Sequence, residues 1–326
     1  MLKSKYYITI NSIAILIFIL IIPQNITQFQ QDTFSPIVES DLSYFSDLAG
    51  SSDEYIIEEK LNHKISFLIK NKGTHQILGN DFNILPRYVT INEEKSDLIS
   101  KDIYTDQIYS YVTLEWEDEI YDCSYMFSNL SDIININLTE FNFKNITNMT
   151  CMFCNNPNLT DIEFGTFDTF SVISMEKMFY NCSSLRFLNL SYFDFSNVEN
   201  MNLMFAQNKN LSNIFFSEYK TLVLKNMDKI FNNCTSLISL HLSNFNTSKV
   251  TNMESLFYNC KNLQEVHLDN FDIIRVTNMK MMFYNCEKLK SLNLSSFSGK
   301  EDINASYMFY NCISLTYVYF NKNNII

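Results

Sequence analysis

Glycine, proline, histidine and tryptophan are scarce in this 326-residue chain, with 5, 4, 4 and 1 copies. So few glycines leave no loop that cradles phosphate through exposed backbone N–H groups. The four histidines, His63, His75, His241 and His267, assemble no set of nucleophile, base and orienting group. Lys plus Arg number 24 against 36 Asp plus Glu, a formal net charge of −12, which argues against nucleic acid because phosphate binding needs clustered cations. The acidity is uneven: residues 1–122 hold 9 Lys plus Arg and 19 Asp plus Glu, and the remainder hold 15 and 17. The second part is therefore nearly neutral.

What the chain does have is a period. Phe127, Phe153, Phe179, Phe205, Phe231, Phe257, Phe283 and Phe309 recur every 26 residues without an insertion. A fixed period of this length marks a stacked array in which each unit buries its apolar face against its neighbours. The residue before each Phe is Met, Ile or Leu, and the one six after it is always Ile or Leu. Apolar residues nine and eleven after it, such as Leu188 and Leu190, alternate with polar ones and predict a short strand. Met175, Met178 and Phe179 lie three and four apart, which predicts one or two helical turns. The expectation is an α/β repeat solenoid, leucine-rich-repeat-like, with one short strand and one short helix per repeat, eight repeats over residues 121–326. Asn takes the turn positions, as at Asn197, Asn244 and Asn270, because it tolerates left-handed backbone.

The repeat read as N-M-x-x-M-F-x-N-C-x-x-L-x-x-L-x-L-S-x-F-x-T-S-x-V-T, nearly complete in Asn226–Thr251 and Asn252–Thr277, resembles the BspA-like leucine-rich-repeat surface proteins. The resemblance implies a secreted or surface-anchored microbial protein engaged in adhesion or host interaction, with no catalytic residues.

Lys3 and Lys5 precede an apolar run from Ile13 to Ile22, which marks residues 1–27 as a signal peptide or an uncleaved signal anchor. Membrane contact is expected only through this segment if it is uncleaved, with the repeats outside the cytoplasm. Residues 28–60 read as an acidic linker. Residues 61–120, with strand-like runs at Lys64–Ile69, Arg87–Ile91 and Tyr109–Trp116, read as a small β-rich cap over the first repeat.

Eight cysteines in an exported chain raise the question of disulfides. Cys182, Cys234, Cys260, Cys286 and Cys312 share one column, where parallel side chains oppose bonding, so buried free thiols are expected. Cys151-Met152-Phe153-Cys154 is a C-x-x-C without a second ligand pair for zinc, and a bridge from either cysteine to Cys123 is the alternative to redox or metal chemistry.

The candidate binding face is formed by outward strand residues, chiefly Phe187, Phe215, His241, Glu265, His267, Asp269, Tyr317 and Tyr319. Aromatics beside polar groups suit recognition of proteins or glycans at a cell surface. The reading is a non-catalytic binding protein with no cofactor and no metal, and self-association is the further possibility for a structural coat. The competing reading is a metal-dependent enzyme using His241 and His267.

Overall fold

The computed structural model describes residues 63–96, 99–165, 168–297 and 302–320. The expected signal segment and acidic linker lie outside the described residues. The described residues form one compact unit.

Eight short parallel-type rungs occupy the repeat region, one per Phe: β7 (Ile133–Asn137), β8 (Asp161–Glu163), β9 (Phe187–Leu190), β10 (Asn213–Phe216), β11 (Ser239–His241), β12 (Glu265–His267), β13 (Ser291–Leu294) and β14 (Tyr317–Phe320). The described residues contain no α-helix. This corrects the expected α/β architecture: the chain is a β-solenoid, and the segment read as helical is a run of tight turns. In the unit that starts at Ser174, the Met178 N–H donates to the Met175 carbonyl at 3.2 Å and Tyr180 to Lys177 at 2.9 Å, so these bonds close over three residues rather than four. Lys177 and Asn181 have φ of 54° and 58°, which no right-handed helix admits. Every described repeat has positive φ at these same two places, two residues before and two after the Phe. A residue with φ > 0 third in a turn is the mark of a type II turn.

The reason lies between rungs. Met175, Lys177, Phe179 and Asn181 donate their N–H groups to the carbonyls of Asn200, Asn202, Met204 and Ala206 at 2.9–3.0 Å. Alternate amides thus point at the next rung, whereas a helix would satisfy them internally. Stacking decides between the two, because Met-x-x-Met-Phe has the same apolar spacing in either form. Asn fills the second left-handed site in seven rungs, for example Asn155, Asn181, Asn259 and Asn285, and Gln207 fills the eighth. Neighbouring amides bond along this column, Asn181 Nδ2 to Asn155 Oδ1 at 3.1 Å and Asn259 Nδ2 to Asn233 Oδ1 at 2.7 Å. Asn197, Asn244 and Asn270 are not left-handed; instead each side chain reaches back to a carbonyl of the preceding rung, Phe170, Ser217 and Ser243 respectively.

The core is a continuous column. The eight repeat phenylalanines stack face to face with centroids 5.2–6.0 Å apart, and seven of them are fully or nearly fully buried. Cys182, Cys234, Cys260, Cys286 and Cys312 are free thiols beside it, as is Cys123. Each column thiol donates to the carbonyl of the Phe one rung back, as Cys260 Sγ does to Phe231 at 3.1 Å. Where the column holds Asn, Nδ2 does the same: Asn156 bonds Phe127 and Asn208 bonds Phe179. Cys151 and Cys154 are disulfide-bonded to each other, so the alternative of a bridge to Cys123 does not hold.

Ahead of the rungs lie β1 (His63–Lys70), β2 (Gly73–Gln76), β3 (Tyr88–Ile91), β4 (Glu94–Lys95), β5 (Asp102–Thr105) and β6 (Tyr109–Trp116). The β1 strand alternates buried and half-buried residues, with Ile65, Phe67 and Ile69 inward. It pairs antiparallel with β6 on one side and with β7 on the other, so the first rung has no free edge there. Phe67 meets Phe127 edge to face at 5.7 Å and ends the phenylalanine stack. Gly79 N–H caps the Met126 carbonyl at 2.8 Å; a Cβ at Gly79 would lie 2.0 Å from the Tyr125 carbonyl oxygen, so only glycine fits.

Candidate functional site

The open face of the sheet is built by alternation. In each rung the central apolar residue points into the core, as Ile162, Leu188, Ile214, Leu240 and Val266 do, and its two neighbours point out. Parallel register then brings outward residues of successive rungs side by side: Asn135 with Asp161, Asn137 with Glu163, Phe187 with Asn213, Asn189 with Phe215, Ser239 with Glu265 and His241 with His267. Phe187 and Phe215 therefore sit diagonally on adjacent rungs. Both are more than half exposed, at 51% and 54%, and so are Tyr317 and Tyr319, at 64% and 58%.

His241 and His267 stack with ring centroids 4.3 Å apart and planes 9° from parallel. His267 Nε2 is 2.9 Å from Glu265 Oε1, while Asp269, in the turn after β12, faces Ser243 Oγ at 3.5 Å. Ring nitrogens bind metals along lone pairs that lie in the ring plane, and two nearly parallel planes do not converge on one ion. Among the described residues no group of three or more His, Cys, Asp or Glu could hold a metal ion. The structure thus brings the histidines together as a stacked pair beside one carboxylate.

No Lys or Arg occupies an outward position of these eight strands, whereas Asp161, Glu163 and Glu265 do. Some outward asparagines are tied into turns, whereas Asn135 Oδ1 accepts the Leu68 N–H of β1. Asn189 Oδ1 accepts both the N–H and the hydroxyl of Ser191, at 3.1 and 2.7 Å, and Asn137 serves Thr139 in the same way. The same chemistry holds at Asn293, which accepts the Ser295 N–H at 3.0 Å, whereas Asn158 and Asn210 instead donate to the Ser131 and Ser183 carbonyls of the preceding rung.

One feature of the face and one of the turn segments escaped the sequence reading. First, β7 and β8 belong to a six-stranded sheet of order β4-β3-β6-β1-β7-β8, so the open face continues onto the cap. Ser66 lies opposite Asn137 and Thr113, and Thr113 opposite Thr90, all on the outer side. Antiparallel pairing of segments some 70 residues apart leaves no periodic signal. Second, Tyr258, Tyr284 and Tyr310 stack at 4.9 and 4.8 Å in the column just after the phenylalanines. Tyrosine at that column was visible, and its spacing of one rung was the signal that would have found it.

The buried thiols have no reactive character. Burial pushes Cys182 and Cys234 up to about 12, opposed in part by hydrogen bonding from the backbone of Asn156 and Asn208, and raises Cys260 and Cys286 as well.

A family model described as "Mycoplasma protein of unknown function, DUF285" matches residues 121–239 and again 209–322. No curated protein matches. Among solved structures, the crystal structure of a TLR13–ssRNA13 complex is similar at 16% identity with a TM-score of 0.26, over 59% of this chain and 36% of that one. The chain thus spans about a third of that relative's length, and a likeness this low bears on neither ligand nor mechanism.

Proposed function

Since this chain belongs to the DUF285 family, over a span that takes in every repeat, we propose that it is a non-catalytic binding scaffold displayed outside the cytoplasm, whose open sheet face engages a protein or glycan at a cell surface. The observation that carries this is the diagonal pair Phe187 and Phe215, two large apolar side chains left more than half exposed on the sheet. Exposed aromatics ringed by polar groups are what recognition surfaces use for affinity. Export is supported by Lys3 and Lys5 ahead of the apolar run Ile13 to Ile22. The Cys151–Cys154 disulfide suits an oxidising compartment. The BspA-like resemblance of the repeat supports an adhesive role.

Intact cells displaying the chain, or the secreted protein, are tested for saturable binding to immobilised surface proteins and glycans. Protease shaving of intact cells must also release repeat fragments. The Phe187→Ala/Phe215→Ala double variant is expected to lose most binding while keeping its melting temperature, because neither ring is in the core. Full binding by that variant, or fragments that appear only after lysis, defeats the reading.

A further inference from the structure

We propose that the cap carries its own saccharide site, in the recess beside the turn between β3 and β4, separate from the Phe187 and Phe215 patch. The recess is open to solvent, has a volume of about 440 Å³ and is lined by Thr90, Asn92, Glu93, Gln107, Tyr111 and Thr113. These six come from three segments: the end of β3 and its turn, the loop before β6, and the outer face of β6. A few hundred cubic ångströms is the size of a small-molecule pocket; most such pockets are lined by apolar side chains, so the polar lining here calls for a polar ligand.

The chemistry of the lining selects the ligand. Two hydroxyls, two carboxamides and one carboxylate surround a single half-exposed phenol, Tyr111. Carboxamides and carboxylates present paired donors or acceptors in one plane, which matches adjacent sugar hydroxyls. The Tyr111 ring offers a flat apolar surface for the C–H face of a pyranose. No cation lines the recess, and Glu93 would repel a phosphate or carboxylate ligand. No apolar side chain lines it either, so it cannot seat a hydrophobic peptide anchor. A second recess of about 540 Å³ adjoins it and shares Asn92 and Gln107. Its one lysine, Lys95, is set 3.5 Å over the Tyr88 ring. Two recesses with a common wall fit neighbouring residues of an oligosaccharide.

The wall is held before any ligand arrives. Asn92 N–H donates to the Tyr111 carbonyl at 2.9 Å, and Asn92 Oδ1 accepts the Tyr111 N–H at 2.8 Å. Asn92 and Glu93 have φ of 49° and 72°, the two left-handed positions of a type I′ hairpin turn. Glycine is the residue usually found at the second of these, yet this turn carries a carboxylate there, at a position where backbone strain is commonly associated with function.

The test is an array of neutral and anionic oligosaccharides probed with the full-length protein, followed by titration calorimetry with the strongest neutral saccharide. Tyr111→Ala and Gln107→Ala should each weaken binding by about tenfold or more, with unchanged circular dichroism. Glu93→Gly removes the carboxylate while relaxing the turn, so it reports on the site even if Tyr111→Ala misfolds. Phe187→Ala/Phe215→Ala should leave this binding intact. The proposal is overturned if no neutral saccharide binds, if anionic glycans are preferred, or if the cap variants bind normally; loss in the Phe187 and Phe215 variant alone assigns binding to the strand face instead.

Discussion

Cys182 Sγ donates to the carbonyl oxygen of Phe153 at 2.9 Å, and in the next rung Asn208 Nδ2 makes the same bond to Phe179 at 2.7 Å. The column tolerates thiol or carboxamide because each places a donor on the same buried oxygen. Cys260→Asn is therefore expected to keep the melting temperature within a few degrees. Cys260→Val, similar in size but with no donor, should lose about 1 kcal/mol, read as a lower melting temperature.

Thiol reactivity should follow burial. With Cys182 and Cys234 pushed up to about 12, almost no thiolate exists at pH 8 in the folded chain. Iodoacetamide labelling followed by mass spectrometry is expected to leave Cys182, Cys234, Cys260 and Cys286 unmodified until denaturant is added. Cys312, only partly buried, should label first. Cys151 and Cys154 should label only after reduction. Rapid native labelling at Cys234 would contradict the buried ladder.

Gly79→Ala places a methyl group where the nearest atom is the Tyr125 carbonyl oxygen, which belongs to the first rung's backbone and cannot swing away. Overpacking of this kind costs about 1–3 kcal/mol. Circular dichroism should show a lower melting temperature, and limited proteolysis should cut first near residues 63–82.

His63 packs buried against Phe141, ring centroids 5.1 Å apart. Burial holds its pKa below the ordinary histidine value, with Glu119 opposing in part. The unfolded chain takes up a proton as pH falls through about 6.5, and the folded chain resists. The neutral form thus contributes stability above that pH, and the contribution is lost progressively as pH falls toward the folded value. Melting temperature should drop between pH 7 and pH 5, and His63→Phe should flatten that slope. An unchanged slope in the variant would remove His63 as its source.

Particular residues show where the sequence was legible. The phenylalanine column, the Leu188 and Leu190 alternation and the buried thiols could be read directly, since each is a one-dimensional pattern with a single structural solution. Met175, Met178 and Phe179 could not distinguish a helix from stacked turns, because both bury the same spacing and only the amides' partners differ. The repeated Asn before each Cys held that answer, as a residue suited to positive φ at a fixed place. Of the site, Phe187 and Phe215 were placed correctly as outward residues by alternation alone. The continuation of that face through Ser66, Thr113 and Thr90 depends on long-range strand pairing, and the Asn92 to Tyr111 lock depends on a turn type. Neither is encoded in a local window.

The bonds that hold one rung to the next have a genetic consequence. Each rung's amides find carbonyls 25 residues on, and side-chain pairs such as Asn181 with Asn155 span 26, so every rung asks only for a like neighbour. An unequal crossover between two copies that removed or added a whole unit would leave each remaining junction chemically unchanged. The terminal cap would still meet a Phe, and the open sheet would simply be shorter or longer. Recombination can therefore set the reach of this protein without redesigning its interior, while substitutions at the outward columns alter what it touches.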